Sequence, residues 1–531
     1  MGLGRNPGDR PFRVERDGSG DGVKGRSQHD ELAPLLPQKT VAGNRLCSTR
    51  YILSYMICLG FTMSYIARAN MSVAITAMVN SSYSATYDNS FNFSSIETCP
   101  PRYDEDNISS HGKDGEFPWD AHTQELILSS FYYGFPVLQI PGGLLADAYP
   151  RSSPWVIGFG LVLSAICNFF VPLAARSGVT ALVTIRIIPG LLESGSYPAV
   201  YSLLTRWSPR ADRSKLLAIA LSGVSSGQII GPPISGVISQ SEAAGGWPTA
   251  FYLCGSFGIA WFILWKLLVY ESPMSHPRIL NEEKDYILAE LQLDKKIRSS
   301  KYPWMSILTS PPLLATVFAD FAVNWVLFIL STNLPIFLTE VLQFNVSQAG
   351  FISSIPYILF FIFITGGGIL ADAIHSRAGI SITATRKIMT TLGLLPSALF
   401  LILGVYVGCN AGLAISFLSL GLAFTGLSYS GAMITPMEFA APYAGITVAI
   451  ANTFAVCSGF IGPLVLGMYT ENQADISGWR TFFWITAGLI LPAWAFFMVY
   501  GSSEPQPWAI LEVKQPDNQN DEKRHLLAAT P

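Results

Sequence analysis

One arginine, Arg68, lies well inside an otherwise apolar stretch running over residues 51–79. Holding a guanidinium at the centre of a bilayer costs at least about 2.5–3.5 kcal/mol, so such a group faces a cavity, an anion or a compensating carboxylate. Its planar fork suits a carboxylate or phosphate in two-point contact, and a structural charge pair between helices is the other use. In a later apolar stretch Arg186 and Glu193 stand seven residues apart, hence two helical turns apart on one face. That spacing allows a structural pair, which is the plainer reading of Arg186. A carboxyl in a low-dielectric site can also take up and release a proton as water access changes, which makes Glu193 the leading proton-coupling acid. Asp320 within another apolar stretch, Glu438 near the end of a further one, and Glu125 at the mouth of the second are reserve candidates. No paired histidine ligands, nucleophile motif or glycine-rich phosphate loop at a helix start is present, and the seven cysteines form no CxxC or Cys/His cluster. An enzyme, a metal centre and a bound cofactor are therefore not expected.

The elements that must position these groups are membrane helices. Half of the 531 residues are apolar and only 13% are charged, against about a quarter in a soluble domain. The net charge of -3 argues against a nucleic-acid partner. Windows of about 20 apolar residues predict spans near 51–79, 123–146, 154–175, 179–204, 215–239 and 249–270. Six more follow near 310–339, 348–371, 384–408, 411–436, 443–469 and 481–500. The expected fold is an all-α membrane protein of twelve transmembrane helices in two six-helix bundles. Its parts are a tail over 1–50, a first bundle over 51–270, a polar connection over 271–308, a second bundle over 309–500 and a tail over 501–531. No cleavable leader is expected before the first span.

Orientation follows from the basic residues of the short loops. Arg151, Arg206, Arg210, Arg213, Lys215, Arg377, Arg386 and Lys387 all fall on alternate connections. Both tails and the 271–308 connection are thus predicted to be cytoplasmic. The 80–121 loop is predicted to be luminal or extracellular, and it carries sequons at Asn80, Asn92 and Asn107. Cys99 and Cys409 fall on that same side, and a bridge between them is open, since a sequence supplies no distance.

The halves repeat each other. Gly142-Gly143-Leu144-Leu145-Ala146-Asp147-Ala148 returns as Gly367-Gly368-Ile369-Leu370-Ala371-Asp372-Ala373, and Ile230-Gly231-Pro232 with Gly236 returns as Ile461-Gly462-Pro463 with Gly467. Gly246-Trp247-Pro248-Thr249 is echoed by Gly478-Trp479-Arg480-Thr481. Parallel six-helix repeats are the plan of rocker-type secondary transporters, with the substrate site between the halves at mid-membrane. The glycine spacing of 227, 231 and 236 predicts close helix approach.

At these residues the chain resembles the major facilitator superfamily. Gly143-x-Leu145-Ala146-Asp147-x-x-x-Arg151, its echo from Gly368 to Asp372, and Arg186-x-x-x-Gly190 are similar to that superfamily's motifs. Within it the chain resembles the anion/cation symporters, the group of sialin, the vesicular glutamate and nucleotide carriers and the sodium–phosphate cotransporters, and is most like the sialin branch. Arg68-Ala69-Asn70-Met71-Ser72-Val73-Ala74, Ser130-Phe131-Tyr132-Tyr133-Gly134, Gln139-Ile140-Pro141-Gly142-Gly143, Glu193-x-x-x-Tyr197-Pro198-Ala199 and Tyr270-Glu271-Ser272-Pro273 carry this resemblance. It implies an anion-binding role for Arg68, a coupling role for Glu193, and a conformational bracing role for Asp147, Arg151, Arg186, Asp372 and Arg377. Tyr133, Tyr197, Tyr201 and Asn324 are candidate partners for the hydroxyls of a sugar acid, although aromatic residues are also ordinary members of membrane helices.

The chain departs from the pattern in places. Sialin-like members often carry a glutamate where this chain has Pro189, a residue that cannot hold a proton and is expected to kink its helix. The tenth-span Asn-His-x-Asp of relatives is replaced by Thr435-Pro436-Met437-Glu438. Vesicular glutamate carriers have a second arginine where Val323 stands, and one central arginine suits a monoanion better than a dicarboxylate. The resemblance implies a secondary transporter whose partners are a small organic anion, a coupling proton or sodium, and the bilayer. Glu31, Leu35 and Leu36 fit an acidic dileucine signal for a sorting adaptor, pointing to lysosomal or late-endosomal membrane, with plasma membrane and synaptic-type vesicle as alternatives. The leading expectation is proton-coupled export of a sialic-acid-like monocarboxylate. The alternatives are a sodium-coupled phosphate or organic-anion carrier, a vesicular anion carrier, and a transport-dead membrane sensor on the same fold.

Overall fold

The computed structural model describes residues 48–80, 99, 115–209, 212–241, 243, 245–294, 302–440, 443–470 and 475–509, all within the unit Cys47–Pro531. Glu31, Leu35, Leu36, Asn92 and Asn107 lie outside the described residues, as does the side chain of Asp147.

Among the described residues the fold is all-α, apart from an isolated bridge between Val79 and Phe117. Eleven helices among the described residues are long and apolar enough to cross a membrane. The second span accounts for the twelfth. It consists of two shorter helices, Ala121–Gly134 and Gln139–Ala148. Pro136 stands in the turn between them, and proline withholds an N–H from the helical ladder and clashes with the preceding turn.

Pro189 lies inside the helix Val179–Ser194, which continues through it. The fourth span breaks at Gly195, before the helix Ser196–Trp207. Here the second span comes so close that a Cβ on Gly142 would stand 2.6 Å from Gly195 Cα. Ser194 Oγ donates to the Phe135 carbonyl and ties the two breaks together.

Large apolar side chains such as Leu173, Ile369 and Phe257 face outward, while many buried positions are Ser, Thr, Asn or Gln. That inversion is what a hydrocarbon solvent permits, since the outer surface needs no polar cover. The predicted close approach of the glycine series occurs. The fifth span (Arg213–Gln240) lies on the first (Thr49–Met78), where a Cβ on Gly227 would be 2.5 Å from Tyr65 Cβ.

The connection between the bundles contains a helix, Asn281–Asp294, that was not expected from composition. Glu283 accepts from the backbone N–H of Thr49 at 3.0 Å and of Arg50 at 3.2 Å, filling two orphan donors at the start of the first span. Ile287 packs into the core of the first bundle. Fully buried Arg50 also meets Asp212 at 3.2 Å.

Cys99 and Cys409 are joined, with their Cα atoms 5.4 Å apart. The bridge links the loop after the first span to the turn between the ninth (Ile382–Tyr406) and tenth (Ala411–Phe439) spans. It defines the disulfide end of the molecule.

Candidate functional site

Two bent helices and one straight one build the centre. The first span supplies Ser64, Tyr65, Arg68 and Ser72; the second supplies Phe131, Tyr132 and Phe135; the fourth supplies Arg186 and Glu193. Glu193 is 3% exposed and does not pair with Arg186. Its partner is Arg68, whose Nη2 and Nε donate to Glu193 Oε2 at 2.6 and 3.2 Å. Ser64 Oγ donates to the same oxygen at 2.6 Å, and Ser164 Oγ, from the third span (Ser153–Ser177), donates to Oε1. The seven-residue spacing did place Arg186 and Glu193 two turns apart. A pair at that separation needs both side chains to reach along the axis, whereas the first span offers Arg68 directly across.

Arg68 is also wrapped in aromatic rings. Its guanidinium carbon lies 4.4 Å from the Tyr65 ring centroid, 4.3 Å from Phe131 and 4.7 Å from Phe135. Each face-on contact of this kind adds electrostatic attraction to the ring quadrupole. A narrow cavity opens beside the arginine, lined by Arg68, Ser72, Tyr132, Arg186, Ser331 and Thr332 among others. Ser331 and Thr332 come from the seventh span (Pro311–Ile336), so both bundles contribute to its wall. Arg186 Nε donates to the Ile127 carbonyl and to Ser130 Oγ, both at 3.1 Å. The expectation of one central arginine is thereby corrected: two guanidinium groups line one cavity, because Val323 is buried in the core and Arg186 of another helix reaches in.

The other expected residues divide into near and remote. Tyr197 shares a 2.8 Å hydrogen bond with Tyr65 through their hydroxyls and stacks on Phe61, placing it beside the Arg68 cluster. Tyr133 packs against Phe460 and accepts from Ser129 Oγ at 3.4 Å. It does not line the cavity, whereas its neighbour Tyr132 does. Tyr201 is half-buried on the helix Ser196–Trp207. Asn324 donates to Asp320 Oδ1 at 2.6 Å, one turn away on the seventh span, so each is the other's partner.

Glu438 is not a free acid. Arg386 Nη2 reaches it at 2.5 Å and Nε at 3.0 Å, clamping the tenth span to the ninth at the end opposite the disulfide. Arg151 is exposed and meets Glu271 at 3.5 Å. Asp372 and Arg377 are exposed, and among the described residues neither forms an ion pair. In the second bundle the ion pair at this end, among the described residues, joins Arg386 and Glu438. Sequence reasoning passed over Ser64 and Ser72, each four residues from Arg68 and so on its face of the first span. That periodicity was the available signal. Ser164, Ser331 and Thr332 had none. Among the described residues no cluster of His, Cys, Asp or Glu could hold a metal ion.

The Major Facilitator Superfamily model matches residues 57–463, most of the chain. The chain belongs to the major facilitator superfamily. It is 36% identical to sialin of Homo sapiens over 90% of this chain and 95% of that protein. It is 34% identical to a putative inorganic phosphate cotransporter of Drosophila melanogaster over 95% of this chain and 92% of that one. With vesicular glutamate transporter 3 of Danio rerio the identity is 33%, over 90% of this chain and 76% of that one. The fold is shared with a bacterial homologue of the human lysosomal transporter Spinster in its inward-facing, occupied form, at a TM-score of 0.62 and 16% identity over 86% of this chain and 97% of that one. A D-xylose–proton symporter matches at a TM-score of 0.60 and 14% identity over 86% of this chain and 99% of that one. This member of the superfamily is thus an anion transporter of the sialin, vesicular glutamate and phosphate cotransporter group.

Proposed function

We propose that this chain exports a small monocarboxylate of the sialic-acid type from the lysosome together with a proton, by alternating access of a central site. The observation that carries this reading is the Arg68–Glu193 ion pair beside a cavity that Arg186 also lines. The three charges sum to a single positive charge. Protonating Glu193 removes the carboxylate that holds Arg68 and frees its fork for a substrate carboxylate. One proton and one monoanion then bind together without changing the charge of the site, which keeps the loaded cavity no costlier to desolvate than the empty one. Tyr197, Tyr132, Ser72, Ser331 and Thr332 supply hydroxyls for a polyhydroxylated anion. Tyr133, Tyr201 and Asn324 lie further out.

In this reading the disulfide end is luminal, in keeping with the sequons on the 80–121 loop and with the oxidising side on which disulfides persist. The two tails and the 271–308 connection are cytoplasmic, and the acidic dileucine of the first tail addresses the protein to the lysosome. No cofactor takes part.

The test is uptake of labelled anions into proteoliposomes under imposed proton, sodium and voltage gradients, one at a time. Glu193→Gln, a permanent mimic of the protonated acid, should lose gradient-driven accumulation yet keep substrate-for-substrate exchange. Arg68→Lys retains charge without the fork and should lose both. If Glu193→Gln still concentrates substrate in response to a pH gradient, another acid does the coupling, with Asp320 next in line.

A second reading is favoured by the two guanidinium groups on one cavity. It is a phosphate carrier, as the Drosophila relative's name suggests, here taken as sodium-coupled, and a sodium gradient driving phosphate uptake would establish it. Failure of every anion under every gradient would leave a transport-dead sensor.

A further inference from the structure

The second and eleventh spans meet along one continuous seam. Residues of the second span face it at seven-residue intervals: Glu125, Tyr132 and Gln139. The eleventh span, Ala444–Val456 and Ser458–Tyr469, runs antiparallel and answers with Gly467, Gly459 and the pair Asn452 and Thr453. The approach is closest at Gly459 and tight at Gly467. A Cβ on Gly459 would stand 2.6 Å from the Tyr132 ring, and one on Gly467 would stand 3.2 Å from Glu125 Cγ.

The two ends of the seam are latched by different chemistry. At the end away from the disulfide, Asn452 Nδ2 and Thr453 Oγ1 donate to Gln139 Oε1 at 3.1 and 3.2 Å, a neutral latch. At the disulfide end the seam closes over a carboxyl. Glu125 is 1% exposed and its Oε2 has no hydrogen-bond partner. Asn333, buried on the seventh span, lies close enough to act on it, yet both amide atoms of Asn333 are also without a partner. His122, one turn earlier on the same helix, is exposed, and its Cα lies close to Gly467. Among the described residues no charged side chain of the first, fourth, seventh or eleventh span acts on Glu125. Residues 471–474, which follow the eleventh span and include Glu471, lie outside the described set.

An ionised carboxylate with no cation beside it and one oxygen lacking a hydrogen-bond partner is unfavourable in such a seam, while a neutral acid can lie there. We propose that Glu125 is a proton-operated latch: protonated, it lets the second and eleventh spans close at the disulfide end, and its ionisation there opens that end to water. The latch is separate from Glu193, which holds the substrate arginine, and it places a second titrating carboxyl on the transport cycle. It rests on the transport reading above but not on which anion is carried. The direction follows from the chemistry. Acid on the disulfide side favours the closed end, and neutral solution there favours the open one.

Cys457, half-buried in the break of the eleventh span two residues before Gly459, is a native reporter. In a chain with Cys47, Cys58, Cys167 and Cys254 replaced by alanine and the disulfide kept, an impermeant thiol reagent is added at the disulfide end of oriented proteoliposomes. At each pH the ratio of the Glu125→Gln labelling rate to that of the otherwise unchanged protein cancels the thiol's own titration. The expected result is a ratio near one in acid that falls several-fold at neutral pH, because the amide keeps the end shut. Glu125→Asp should restore the unmodified protein's profile and shows that the position tolerates change. The proposal is overturned if the ratio is the same at both pH values, or if Glu125→Asp behaves as Glu125→Gln. It is also overturned if sodium at fixed pH, and not the proton, controls the rate. Because no substrate is added, its failure is distinguishable from failure of the monocarboxylate reading, which the uptake measurements decide.

Discussion

Removing Glu193 should destabilise the protein through the charge it leaves behind. In Glu193→Ala the Arg68 guanidinium, 10% exposed, loses its carboxylate and both hydrogen bonds to it. Breaking a buried ion pair by deleting one partner costs about 3–5 kcal/mol. The rings of Tyr65, Phe131 and Phe135, all within 4.7 Å, retain part of the cation's stabilisation. Crediting them with about 1–2 kcal/mol leaves an expected loss of about 1–4 kcal/mol, centred on about 2.5 kcal/mol. Arg68→Ala should cost more, about 3–5 kcal/mol, because Glu193 would keep only the hydroxyls of Ser64 and Ser164. The double variant leaves neither charge stranded and should lose only about 2–4 kcal/mol, mostly packing, so the interaction energy of the cycle is about 3–4 kcal/mol. The assay is thermal unfolding of the four purified proteins in one detergent, with Glu193→Gln as a milder variant that keeps an acceptor. Strict additivity of the two alanine variants, or a Glu193→Ala protein as stable as the original, would refute the pairing and with it the coupling argument built on it.

Three further outcomes are expected. His276 packs edge-on against Trp207 and Tyr270, and burial pushes its imidazole below the ordinary histidine value. The neutral ring therefore favours the docked connection, a contribution present above about pH 6.5 and lost as pH falls below it. Hydrogen exchange over 270–280 should rise on acidification, and His276→Gln should remove that dependence. Asn80 follows the first span directly, half-buried, with its N–H on the Phe117 carbonyl. Glycosidase should therefore shift the protein and the Asn80→Gln variant alike, and should leave an Asn92→Gln/Asn107→Gln variant unshifted. Replacing Leu35 and Leu36 by alanine should move the protein to the plasma membrane, seen by surface biotinylation, and unchanged lysosomal residence would remove the signal from the account.

Much of this protein was legible in its sequence because a bilayer imposes a one-dimensional rule. Apolar windows of bilayer length had to become helices, since a helix is the element that satisfies its backbone within one continuous apolar segment in hydrocarbon. The twelve spans and the repeated glycine motifs followed from that rule, and the rarity of charges within spans made Arg68 and Glu193 stand out. Which charges meet was decided only in three dimensions. Arg186 and Glu193 share a helix face, yet Glu193 pairs across to the first span and Arg186 turns to Ile127 and Ser130. Glu438 looked like a lone acid until the ninth span brought Arg386 to it. Cys99 and Cys409 are 310 residues apart and meet only because the bundles bring their loops together. The seam of Glu125, Tyr132 and Gln139 was equally invisible, because its other wall is supplied some 300 residues later. Periodicity reports which side of a helix a residue occupies, and only the packing of helices, set by where glycine lets backbones touch and where proline breaks a span, determines what it faces there.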